Sequence, residues 1–148
     1  MIYGQPITFG GASGEIDITD NGAFDVKKYA TANVNVEPVL LWTNASPTSA
    51  FAAQTVNVAS GYDAYLVELV PYGSEQNVKA ITYAKNGDST TLSVPAKATT
   101  TYAMAGYFRG ATCNNGKITF TTGYYYGYEN SNNVWAIPVR VWGVKFTL

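Results

Sequence analysis

From residue 39 onward, apolar and polar side chains alternate with a period of two through one short run after another, and this constrains the fold more than any other feature of the chain. Val56 and Val58 alternate with Thr55 and Asn57, and Tyr65, Val67 and Leu69 alternate with Leu66 and Glu68. Leu92 and Val94 alternate with Thr91 and Ser93, and Ile118 and Phe120 with Lys117, Thr119 and Thr121. Successive side chains of a strand point to opposite faces, so each run reads as a half-buried strand. Asn86-Gly87 and Asn115-Gly116 lie between such runs. Asn and Gly tolerate the positive φ angles of a type I′ turn, which predicts a hairpin at each. Pro138 interrupts the last apolar run; lacking an N–H for the ladder, it predicts an edge or a bulge. Helical signals are weak, and only Ser49-Ala50-Phe51-Ala52-Ala53-Gln54 would allow a single turn. Strands spaced about 8–12 residues apart describe a sandwich or barrel. The expected architecture is all-β: a jelly-roll-like antiparallel β-sandwich over residues 39–148.

Residues 1–38 read differently, as an appendage. The first 14 are rich in Gly, Ser and Thr and form an extended arm that cannot fold alone. Residues 15–37 carry the short alternations Ile16/Ile18, Phe24/Val26 and Val34/Val36 around Asp20-Asn21-Gly22, a small strand-turn-strand unit that needs packing partners. Charge is segregated at the same place. Residues 1–37 hold five carboxylates and two lysines, whereas residues 38–148 hold five carboxylates and seven basic residues. An arm of this kind orders by docking on a neighbour, and Ile2, Tyr3, Pro6, Ile7 and Phe9 are its candidate attachment residues. The N-terminus has neither the basic nor the apolar region of a secretory signal, so synthesis is expected in a cytoplasm. The longest apolar runs, residues 39–42 and 64–70, are strand-sized, so no membrane insertion is expected.

Composition bears on chemistry. The 148 residues include no histidine and one cysteine, Cys113, which removes the commonest general base and any internal disulfide or thiolate zinc site. Without histidine no Ser or Cys triad can be assembled, and no G-x-S-x-G is present. A net charge of −1 gives no reason to expect nucleic acid. Cys113 reads as a small semi-buried filler rather than a reactive thiol. Asp17 and Asp20 flank a strand end without a calcium-loop pattern. A glycosidase pair would have to come from Glu68 or Asp63 with Glu129; solvated acids are the simpler account of these residues. The chain is expected to be non-enzymatic, without cofactor or metal.

The most unusual segment is Tyr124-Tyr125-Tyr126-Gly127-Tyr128, followed by Glu129-Asn130-Ser131-Asn132-Asn133. In a strand, Tyr124, Tyr126 and Tyr128 share one face and Tyr125 takes the other. Tyrosine combines a flat apolar face with a hydrogen-bonding tip, as sugar recognition or a protein interface requires. Tyr124, Tyr126, Tyr128, Asn130 and Asn132 are therefore candidate ligand-binding residues; the alternative is that the tyrosines cover the edge of the core. Trp42 and Trp142 have aliphatic neighbours that favour core or subunit contacts, while Trp135 borders the Asn loop.

The run Ile16-Asp17-Ile18-Thr19-Asp20-Asn21-Gly22-Ala23-Phe24-Asp25-Val26, continuing to Tyr29 and Val34-Asn35-Val36, resembles a segment of structural proteins from phages and prophages of Gram-positive bacteria. Leu41-Trp42-Thr43-Asn44-Ala45-Ser46-Pro47, Phe51-Ala52-Ala53-Gln54-Thr55-Val56 and Gly61-Tyr62-Asp63 are similar to the start of small β-domains in gut-phage virion proteins, whose chains often close as Ile137-Pro138-Val139-Arg140-Val141-Trp142-Gly143-Val144-Lys145 does. The resemblance implies a virion structural protein, a fibre, receptor-binding tip or capsid decoration, displayed on the virion surface. It implies a homo-oligomer, a trimer by analogy with phage fibres and decorations, with other virion proteins as partners of the arm and a host surface glycan as a candidate ligand. It carries over no catalytic residue.

Overall fold

The structure, a computed structural model, describes residues 5–9, 12–18, 24–25, 37–96, 105–125 and 131–146. Among them are eleven strands and no helix. These are β1 (Gln5–Phe9), β2 (Ala12–Ile18), β3 (Phe24–Asp25), β4 (Val39–Thr43), β5 (Gln54–Asn57), β6 (Ala64–Val70), β7 (Ala80–Lys85), β8 (Ser89–Ala96), β9 (Ala105–Asn114), β10 (Lys117–Tyr125) and β11 (Ile137–Val144). The chain divides into two compact units, Met1–Val36 with Phe146–Leu148, and Glu37–Lys145.

The first unit holds a three-stranded antiparallel sheet in the order β1-β2-β3. β2 and β3 pair at Asp17–Asp25 and Ile18–Phe24, and the expected Asp20-Asn21-Gly22 turn lies outside the described residues. Part of the expected arm is itself a strand, because β1 pairs with β2 from Gln5–Ile16 to Phe9–Ala12. Ladder bonding is a property of the backbone and does not require an apolar sequence. Pro6, Ile7 and Phe9 thus lie in β1, while Ile2 and Tyr3 lie outside the described residues.

The second unit is a β-sandwich of two four-stranded antiparallel sheets, β4-β11-β6-β7 and β5-β10-β9-β8. Its first and last strands are neighbours in one sheet, and its second and second-last are neighbours in the other. This nested, jelly-roll-like wrap closes the chain on itself. The core lies between the sheets, with Tyr65, Val67, Leu69 and Val141 from one side and Leu92, Val94, Cys113, Ile118 and Phe120 from the other. The alternation read in the sequence is seen in β10, which runs exposed, buried, exposed, buried from Lys117 to Phe120, but not in β6, where Glu68 and Val70 are buried as well as Tyr65, Val67 and Leu69. Tyr65 is fully buried, and its hydroxyl accepts a 3.0 Å hydrogen bond from the Gly116 N–H, so its polar tip is satisfied.

The two Asn-Gly turns have different outcomes. Asn115 and Gly116 both have positive φ and close the β9–β10 hairpin as expected. Asn86-Gly87 also reverses the chain, but β7 pairs with β6 and β8 with β9, so it joins the two sheets at a corner and makes no hairpin. Turn chemistry permits a reversal without choosing the partner. Pro138 is not at an edge: β11 sits between β4 and β6, and its register slips between Pro138 and Arg140, which is the bulge alternative. Residues 49–54 form no helical turn, because the Phe51 N–H donates to the Asn133 carbonyl at 2.8 Å and its ring packs edge-on against Trp42 and Phe120.

Cys113 is fully buried, and burial pushes its thiol up to about 11. Its acidity is suppressed more in the folded chain than in the unfolded one, so the unfolded state deprotonates first. The stability this supplies is complete below the ordinary thiol value of 9.0 and is lost as pH climbs toward about 11. A maleimide added to the native protein at pH 8 should label Cys113 only at the rate of unfolding, with prompt labelling in denaturant.

Candidate functional site

At one end of the sandwich, three connections converge: residues 44–53, 71–79 and 131–136. Here the core-facing sides of β9 and β10 run on past the core as aromatics. Tyr107 stacks on Trp135 at 5.5 Å between ring centres and 23° between planes. Tyr125 lies 5.3 Å from Tyr107, and Tyr72 meets Tyr107 edge-on at 6.0 Å. All four rings are half-buried. Burial, followed by the neighbouring Tyr72 and Tyr125, raises the Tyr107 phenol above its ordinary range, so it remains a neutral donor.

Beside this cluster is an open cleft of about 390 Å³, whose walls include Thr48, Ser49, Tyr72, Ser74, Val134 and Trp135. Among the described residues, no charged side chain lines it. Its walls are tied together by hydrogen bonds to backbone carbonyls. Gln76 donates to the carbonyls of Pro47 and Gly73 at 3.2 and 3.0 Å, and the Ala136 N–H donates to the Pro71 carbonyl at 2.9 Å. Gly73 is required where the loops touch, since a Cβ there would overlap the Thr48 carbonyl oxygen.

Arg109 organises the third wall. It is fully buried, and among the described residues its guanidinium meets carbonyls rather than a carboxylate. Nε donates to the Ala136 carbonyl at 2.8 Å, Nη1 to that of Thr121, and Nη2 to those of Trp135 and Asn133 at 2.8 and 3.4 Å. The Phe51 ring lies 5.3 Å from the guanidinium carbon. Burial lowers this group to about 10, which leaves it charged at neutral pH. One planar fork of donors thus gathers three carbonyls of the 131–136 segment and one of β10.

The sequence candidates separate. Tyr124 stacks on Phe108 at 5.6 Å on the outer face of its sheet, opposite Tyr125. Asn132 shapes the turn: its Oδ1 accepts from the Val134 N–H at 3.1 Å, and its N–H donates to the Gly123 carbonyl at 2.7 Å. Tyr126, Tyr128 and Asn130 lie outside the described residues, as does Glu129. Glu68 is not a solvated acid. It is 5% exposed on the outer face of β6, held by Lys79 at 3.3 Å and Arg140 at 3.7 Å, and Asp63 lies in the turn before β6. Neither lines the cleft. Sequence reasoning missed Tyr72, Tyr107 and Arg109. For the last two a signal existed, because Tyr107, Arg109, Ala111 and Cys113 follow the period of two and place Arg109 in phase with the core.

A different surface marks the outer face of the β4-β11-β6-β7 sheet. Cross-strand register aligns Leu40, Trp142, Leu66 and Tyr83 in one row over all four strands. Leu40 and Tyr83 are 53% and 49% exposed, and Ile81 beside them is 59% exposed. Comparison with protein-family models, curated proteins and solved structures finds no match for the chain.

Proposed function

We propose that the protein is a non-enzymatic structural protein of a phage virion, a fibre or capsid decoration, anchored by its N-terminal segment and displaying the β-sandwich on the particle surface. The observation that carries this reading is the outer-face apolar row Leu40–Trp142–Leu66–Tyr83, exposed at Leu40 and Tyr83 and half-buried at Trp142 and Leu66, on a sandwich with little charge. A contiguous apolar band of this kind suits burial against other copies. The sequence resemblance to phage structural proteins supplies the setting: synthesis in the bacterial host cytoplasm, docking of Ile2, Tyr3, Pro6, Ile7 and Phe9 on another virion protein, and a trimer as the assembled form. Sedimentation should show a concentration-dependent oligomer, a trimer at saturation, and a monomer for the Leu40→Glu, Tyr83→Glu double variant. A wild-type chain that stays monomeric at high concentration, and is absent from purified particles, overturns it.

The aromatic cluster at the loop end favours a second reading, a carbohydrate- or receptor-binding module. Display and glycan binding are compatible in one chain, since a surface-displayed module is where a host glycan would be met.

A further inference from the structure

We propose that the cleft between Tyr72 and Trp135 is a binding site for one unit of a neutral saccharide, an inference that rests on the carbohydrate-binding reading and moves its site away from the outer face that carries Tyr124. Four observations carry it. The cleft volume of about 390 Å³ falls within the range of small-ligand sites, roughly 300–1,000 Å³. Its lining combines the aromatic Tyr72 and Trp135 with the hydroxyl-bearing Thr48, Ser49 and Ser74, beside the apolar Val134 and Ile137. A pyranose presents that same combination, an apolar C–H face with hydroxyls around its rim. A purely apolar ligand would make no use of these hydroxyl-bearing residues.

The third observation is charge. Among the described residues no ionised side chain lines the cleft, and the nearby Arg109 has its donors directed to four backbone carbonyls, so it is not available to an anion. These described walls therefore suit a neutral ligand. The fourth is rigidity. Tyr107 covers one face of the Trp135 indole, the Trp135 carbonyl is held by Arg109, and Gln76 ties the loops carrying Thr48 and Tyr72 to one another. A site whose walls are already fixed loses little conformational freedom on binding.

The test uses the full chain and a saccharide panel read by saturation-transfer NMR: glucose, galactose, rhamnose and N-acetylglucosamine with their short oligomers, and glucuronic and sialic acids as anionic probes. The expected result is binding of a neutral sugar, weakened about tenfold or more by Ser74→Arg and by Trp135→Ala, and unchanged by Tyr124→Ala. Ser74 is exposed, so its arginine variant should fold and decides the matter if Trp135→Ala does not. Binding that survives Ser74→Arg overturns the cleft; if Tyr124→Ala then abolishes it, the carbohydrate reading stands with its site on the outer face. Preference for the anionic sugars overturns the neutral class. No binding to the wild-type chain overturns both the cleft and the carbohydrate reading.

Discussion

Arg109→Met should lower folding stability by about 3–5 kcal/mol, the largest effect expected of any single polar substitution in the sandwich. Methionine fills much of the same space and removes the cost of burying a charge. It leaves the carbonyls of Thr121, Asn133, Trp135 and Ala136 without their shared donor. Hydrogen bonds to a charged group contribute about 1.5–3 kcal/mol each, so losing several outweighs the desolvation recovered. Arg109→Lys separates charge from geometry. An ammonium keeps the charge but cannot span four acceptors as a planar fork does, so it should recover less than half the loss. Urea unfolding of the three proteins measures this. A lysine variant as stable as wild type would show that charge alone matters and that the fork does not.

Gly123→Ala should cost about 3 kcal/mol through an unrelated mechanism that acts on the same loop. A Cβ at this position would overlap the Trp135 carbonyl oxygen and approach that of Asn132 to 2.9 Å. Both are backbone atoms, so no side chain can swing aside. The displaced Trp135 carbonyl is the one that Arg109 Nη2 binds, and the indole of that residue stacks on Tyr107. The near-UV circular dichroism of the Trp135–Tyr107 pair should therefore weaken along with the urea midpoint. An alanine variant with an unchanged midpoint and spectrum would mean that the loop has room to retreat. Because Arg109 and Gly123 act on one segment, their double variant should lose less than the sum of the two.

Much of the sandwich was legible because its signal is local. β6, β8 and β10 fall where Tyr65/Val67/Leu69, Leu92/Val94 and Ile118/Phe120 place them, and the Asn115-Gly116 hairpin has the φ angles its residues favour. Cys113, read as a semi-buried filler, is more deeply buried than expected. The misreadings share a cause. Asn86-Gly87 reverses the chain as such a pair should, yet the strands on either side belong to different sheets. Glu68 has the outward phase of a solvated residue, but Lys79 and Arg140 close over it from the adjacent chain segments. Pro138, by contrast, was read as marking an edge or a bulge, and the bulge is what lets it lie mid-sheet.

The candidate site was less legible than the fold. The tyrosine run drew attention to residues 124–128, and alternation separated Tyr124 from Tyr125 as expected. Yet Tyr125 gains its surroundings from Tyr72, Tyr107 and Trp135, each contributed by a different part of the chain. The walls of the cleft come from three connections far apart in the chain, and no local pattern brings them together.

The sequence by itself determined that this chain forms strands, which of their faces are buried, and where a tight reversal can occur. Those are steric properties of a few consecutive residues, set by the alternation of side chains and by φ angles open to Asn and Gly. Only the tertiary structure decided which strands pair, that Arg109 enters the core with carbonyls for partners, and that Tyr72 and Trp135 face one cleft. These depend on free energy shared between segments far apart in sequence, where a buried donor or ring is favourable only once its distant partner is in place.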